Sequence, residues 1–377
     1  MRKLLLLGLV MVMVLAAFAG CGNNDANESP SPTATAAPEE TETATAPAEG
    51  EETAAAGAVL TGLGSDISIA KSKSYATDED GAAVDALAQM DTTMVAVTLD
   101  SEGKILNVKI DMVQPKVNFD GEGQLVTDTT ETIQTKVELG DAYGMKKASG
   151  IGKEWYEQIA ALEDWMVGKT IDEVTGMQLS DEGTPNEADL VSSVTIHVDS
   201  YLTAVKEAVD NAKDFGAEVT GSTKTGIGSV TSIAKSASAT AEAEALGQAD
   251  VIMAAVTVDE DNKIVGVVID NGQVKVNFDT AGTLLTDPTT KPMTKVELGD
   301  EYGMKKASSI GKEWYEQIAA LGEWMIGKTI DEVKAMKTYE KDEAHPAVPE
   351  EADLTSSVTI SVQDYIEAVE KAVANAD

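Results

Sequence analysis

Cysteine, histidine and basic residues are scarce in this chain, and each shortage excludes a class of function. Its 377 residues include one Cys and two His. One Cys can form no intramolecular disulfide, no iron–sulfur site and no CxxCH haem attachment. The two His, His197 and His345, give no basis for a His-based metal centre, so no metal is expected. Redox chemistry on such a chain needs an organic cofactor. Lys plus Arg total 28 against 65 Asp plus Glu, a formal charge of −37. A protein this acidic is repelled by nucleic-acid phosphates and by anionic lipid, so neither is expected as an electrostatic partner. There is also no GxGxxG, and no strand–helix alternation long enough for a nucleotide-binding parallel sheet.

What is present begins with an export signal. Met1-Arg2-Lys3 is a short positive region, and Leu4 to Gly20 is small and apolar. A transmembrane anchor is the competing reading of such a run. The sole cysteine, Cys21, follows Phe18-Ala19-Gly20, which resembles a lipobox, and a polar tail follows at once. Residues 1–20 therefore read as a lipoprotein signal peptide, with Cys21 as the lipidated (palmitate-type) residue. More than one acyl chain gives stable anchoring, which places the rest at the outer face of the cell membrane. Residues 22–56 contain four Pro and eight acidic residues, with no basic, aromatic or large aliphatic residue. They read, with Cys21, as a disordered acidic tether with a root-mean-square reach of about 30–35 Å.

The remainder is a tandem duplication. GKEWYEQIAAL at Gly152–Leu162 returns unchanged at Gly311–Leu321. KVELGD, YGMKKAS, KVNFD, GKTIDEV, SIAKS and SSVTI also recur in the same order. Two homologous domains are expected, 57–213 and 222–377, joined by a short hinge near Gly216–Lys224. Two copies of this size are globular units, unlike the short periods of solenoids. Each reads as α+β. Val95–Leu99 and Ile105–Ile110 predict strands around a turn, with Val256–Val258 and Ile264–Ile269 as their counterparts. Val113–Phe119 and Val274–Phe278 predict a third strand. Trp155, Ile159, Leu162 and Met166 stripe one helix face ended by Gly168. A closing helix carries Tyr201, Leu202, Val205 and Val209 in one copy, and Tyr365, Ile366, Val369 and Val373 in the other.

Just before each closing helix stands DLxSSVT: Asp189, Ser192, Ser193 and Thr195 in the first copy, Asp353, Ser356, Ser357 and Thr359 in the second. This pattern resembles the flavinylation motif of the FMN-binding domain family, Asp-x-x-Ser/Thr-Gly-Ala-Thr/Ser. Ser193 and Ser357 stand where Gly is usual there, and Val194 and Val358 where Ala is usual. The whole arrangement of lipobox, tether and two repeats resembles the two-domain FMN-binding lipoproteins of extracellular electron transfer in Gram-positive bacteria.

The resemblance implies two tandem FMN-binding-type domains, each an antiparallel sheet with flanking helices. It implies two covalent FMN groups per chain, phosphoester-linked to Thr195 and Thr359 by a flavin transferase, with the other motif residues as cofactor-binding positions. The function implied is an electron carrier rather than a substrate-specific enzyme. It would pass electrons from a membrane donor to iron, soluble flavin or an exported reductase. Backbone N–H groups at the following helix start are expected to stabilise the phosphodiester charge.

Two other readings remain open. In the first, the protein is a non-redox surface lipoprotein, a ligand-binding or interaction module, and DLxSSVT only caps a helix. In the second, it is an exported reductase, although no separate substrate domain is left over. The four Trp read chiefly as core and secondarily as flavin-stacking residues. Lys146-Lys147 and Lys305-Lys306 read as solvated, with contact to FMN as the alternative. His197 follows the first motif, but Ser361 replaces it in the second.

Overall fold

The computed structural model describes residues 58–377. The signal peptide, Cys21 and residues 22–56 of the tether lie outside the described residues. The described residues form one compact unit, and its class is α+β with small antiparallel sheets.

Each copy is built on a three-stranded antiparallel meander. An opening strand (Leu60–Ser68; Lys224–Ser232) pairs with a central strand (Asp91–Leu99; Ala245–Val258). The central strand in turn pairs with an outer strand (Ile105–Val113; Ile264–Phe278). Outside each sheet lie the tryptophan helix (Trp155–Met166; Trp314–Met325) and the closing helix (Asp199–Asp210; Gln363–Ala374). The helix stripes read from the sequence are the buried faces, and Gly168 stands just past the first with φ 80°.

The strands run longer than their sequence signals, and the opening strands carry none of the expected alternation. Their glycines explain this. A Cβ on Gly62 would stand 1.9 Å from the Ala208 carbonyl oxygen, and on Gly226 1.8 Å from that of Ala372. Gly64 and Gly228 meet the same helices as closely. The closing helix thus lies against bare backbone, and Ala204, Ala208, Ala368 and Ala372 are the small residues that permit it.

Val113–Phe119 is not one strand. The ladder breaks at Gln114-Pro115 and resumes as Lys116–Phe119, paired with Ala86–Gln89. Pro115 has no N–H to give the ladder. Its counterpart in the second copy is Val274, where the outer strand runs unbroken.

The central strand is buried along its whole length. Val95, Val97 and Leu99 face the helices of their own copy, whereas Met94 and Ala96 join a core shared with the other copy. That core holds Phe119 and Phe278, with ring centroids 5.2 Å apart, and apolar residues of both sheets. Beside it four buried hydroxyls form one hydrogen-bonded chain: Thr61 to Thr257 at 2.7 Å, Thr257 to Thr98 at 2.6 Å and Thr98 to Thr225 at 2.6 Å.

The two copies are therefore not separate bodies on a hinge. The joining segment is itself tied to both, through Asn107 Nδ2 to the Thr223 carbonyl (3.2 Å) and Ser222 N–H to Glu260 (3.1 Å).

Candidate functional site

The DLxSSVT segment folds as a tight turn pinned by its apolar residues. Leu190 and Val194, like Leu354 and Val358, are buried in the helix-side core of their copy. Backbone bonds from Ser193 and Val194 N–H to the Leu190 carbonyl close the turn, as do those from Ser357 and Val358 to Leu354. Asp189, Ser192, Asp353 and Ser356 are exposed, and Ser193 and Ser357 are half-buried. The turn lifts these residues to the surface around one terminal hydroxyl. Thr195 is exposed and Thr359 half-exposed.

Each threonine is held by a residue that the sequence reading missed. Gln158 is fully buried on the tryptophan helix. Its Oε1 accepts the Thr195 N–H at 2.8 Å and the Thr195 hydroxyl at 3.3 Å. Gln317 Oε1 does the same for Thr359, at 2.9 and 3.2 Å. The amide nitrogens of these glutamines donate to the neighbouring loop. Gln158 Nε2 reaches Ser149 Oγ at 3.3 Å and the Lys153 carbonyl at 3.5 Å. Gln317 Nε2 reaches Ser308 Oγ at 3.2 Å and the Lys312 carbonyl at 3.3 Å. With its proton directed into the glutamine, the hydroxyl oxygen keeps its lone pairs toward solvent.

Two expectations about the following helix are corrected. DLxSSVT does not cap it: the closing helices have Val198 and Val362 at the N-cap, with no side-chain cap bond. Nor does the helix N-terminus serve the threonine. The helix starts only at Asp199 or Gln363, after three intervening residues, and carries Asp199 or Asp364 in its first turn. The threonine N–H is already bound to glutamine.

Around the site, Trp155 and Trp314 are core residues. Each ring N–H donates to a tyrosine hydroxyl, Tyr201 at 2.9 Å and Tyr365 at 3.1 Å. Burial pushes both tyrosines up to about 12. Trp165 and Trp324 are half-buried, each with a lysine ammonium over its face, Lys169 at 4.3 Å and Lys328 at 4.2 Å. Two buried lysines also escaped the sequence reading. Lys136 lies 4.7 Å from the Tyr143 ring and 5.0 Å from that of Trp155, with Lys295 placed likewise over Tyr302 and Trp314. Burial pulls both lysines down to about 8. No cluster of His, Cys, Asp and Glu suited to a metal occurs among the described residues. Nor is any described helix long and apolar enough to cross a membrane.

A chlorophenol reductase of Desulfitobacterium hafniense is 33% identical over 96 residues, which are 22% of this chain and 29% of that protein. The match thus spans under a third of the relative's length. No protein-family model matches the chain, and no solved structure matches it.

Proposed function

We propose that this protein is an exported, lipid-anchored flavoprotein electron carrier with FMN attached covalently at Thr195 and Thr359. The observation that carries the reading is the paired threonine site. Two turns of the same DLxSSVT pattern each present an accessible terminal hydroxyl, and each of these threonines is fixed by a buried glutamine in the same geometry. A helix cap would need none of this, and no cap is made.

The residues fit the group. A phosphoester needs an accessible hydroxyl oxygen with free lone pairs, and both threonines have one. Attached FMN would supply one- and two-electron transfer, which no side chain here can. The chain's own part is to hold the Thr backbone and hydroxyl through Gln158 and Gln317, and to keep both sites on one compact scaffold. A hydroxyl is a poor nucleophile unaided, so activation falls to a flavin transferase. Cys21 is the lipid anchor in this reading, a membrane component the electron donor, and iron, soluble flavin or an exported reductase the acceptor. The similarity of a short segment to a protein called a reductase is in keeping with a redox setting.

The test is substitution in a host that carries the transferase. Thr195→Ala and Thr359→Ala are each expected to remove one of two covalent flavins, read as in-gel fluorescence, and the double variant both. Melting is expected to fall by no more than the equivalent of ~1 kcal/mol per site, since each hydroxyl makes one long bond at the surface. Undiminished fluorescence in the double variant would falsify the assignment.

A further inference from the structure

In each copy the loop bound to the other end of the threonine's glutamine carries three lysines. Lys146, Lys147 and Lys153 stand in the loop before the first tryptophan helix, and Lys305, Lys306 and Lys312 before the second. The first two of each set are exposed and the third half-buried. Two buried side chains fasten this loop. The Glu154 carboxylate accepts the Met145 N–H at 2.7 Å, and Glu313 accepts the N–H groups of Met304 at 2.8 Å and Lys305 at 2.9 Å. Gln158 and Gln317 hold the Lys153 and Lys312 carbonyls with one end of the amide and the threonine with the other. One buried amide thus sets the distance between hydroxyl and lysine loop, and it does so twice in the molecule. Among the described residues, none of the six lysines pairs with a carboxylate, in a chain of 65 acids. Several lysines without a carboxylate partner, on a loop that one side chain ties to the threonine, suit an anion with many oxygens.

We propose that each lysine loop docks the pyrophosphate of a flavin dinucleotide against its threonine during attachment, with Gln158 and Gln317 as positioning residues. The proposal rests on the flavin reading above. In the step it serves, the threonine Oγ1 forms a P–O bond to the flavin-side phosphorus. The phosphoanhydride P–O bond breaks, and adenosine monophosphate leaves with that electron pair. The hydroxyl proton passes to a base of the transferase. Two negatively charged phosphoryl groups must approach a strongly acidic protein, and the loop supplies local positive charge where they arrive.

The experiment uses the full chain with its transferase and FAD, following each site-containing peptide by mass over time. In the variant Lys146→Gln/Lys147→Gln/Lys153→Gln, attachment at Thr195 is expected to slow about ten-fold or more. Thr359 in the same molecule keeps the wild-type rate. The corresponding variant at Lys305, Lys306 and Lys312 reverses the pattern. Arg at the same three positions restores the rate, and Gln158→Leu slows Thr195 alone. Melting temperature reports that the variants stay folded. Equal rates at both threonines overturn the proposal. If the attached flavin is then also more mobile, the lysines face the finished phosphodiester instead of the dinucleotide. If wild-type protein takes up no flavin at either threonine, the flavin reading fails and this inference goes with it, a result distinct from equal rates.

Discussion

The two copies agree where they hold the threonine and differ where they meet each other. Around Thr195 and Thr359 the hydrogen bonds match to within about 0.2 Å, from the glutamine to the Trp–Tyr pair. At the junction the residues diverge. Pro115 breaks a strand that Val274 continues. Asn107 stands where Gly266 admits the Thr61 hydroxyl, which a Cβ there would meet at 1.9 Å. Glu163 stands half-buried where the second copy has Gly322. Lys371 pairs with Glu138 across the junction at 2.8 Å, whereas its counterpart Glu207 faces Glu297. A duplicated fold that packs against itself puts each element opposite its own twin, and identical charges or bulky groups then conflict. Divergence relieves the junction, while the site has no twin to meet and stays the same.

The largest expected effect lies inside each copy, where the closing helix meets the opening strand, and it asks whether the damage spreads through the shared core. Gly62→Ala and Gly226→Ala each place a methyl inside a carbonyl oxygen's radius. Overpacking against backbone is expected to cost ~3 kcal/mol or more in either copy. Because the copies share a core, chemical denaturation monitored by both fluorescence and circular dichroism should show one transition, shifted as a whole. If only half of the signal shifted, the copies would be independent and the shared core would be of no energetic consequence.

Next comes pH. Burial pushes Glu163 up to about 8 and Glu207 up to about 7, and it pushes Asp111 and Asp270 up to about 6. A carboxyl raised in the folded state binds its proton more tightly there than in the unfolded chain. The stability it contributes is full below its ordinary value, 3.8 for Asp and 4.5 for Glu, and declines as pH rises to its folded value. Lys136 and Lys295, pulled down to about 8, act oppositely above that pH. Melting temperature is therefore expected to fall by several degrees from pH 5 to 8 and then level. Glu163→Gln should remove part of that slope, a part to which Gly322 in the second copy contributes nothing. A flat profile in the wild type would contradict the burial argument.

The smallest effect is charge repair. Glu207→Lys would give Glu297 the partner that Glu138 has in Lys371, at the loss of the Ser65 N–H bond to Glu207 (3.0 Å). The gain is expected to stay below ~1 kcal/mol and to appear at pH 8 rather than pH 5. Melting curves at both values read it.

The tryptophan and closing helices were legible because their apolar residues recur at helical spacing. The opening strands were not, since glycines that look like breakers are there to admit a helix. The shared core had a short signal: Met94–Val97 is an unbroken apolar run, as a strand covered on both sides allows. Pairing between copies was hidden because repeats look self-sufficient in one dimension. Gln158 was hidden as a polar residue in a helix, although its place between Trp155 and Ile159 puts it on the buried face. The threonines were legible only through the motif, and nothing local marked their partner.

The central claim is that two glutamine-held threonines each carry one FMN. Intact-mass measurement of the mature protein from a host with the transferase tests it most directly. Two FMN-phosphoryl increments in the wild type, one in Thr195→Ala or Thr359→Ala and none in the double variant are the predicted result. A wild-type mass without either increment would contradict the account.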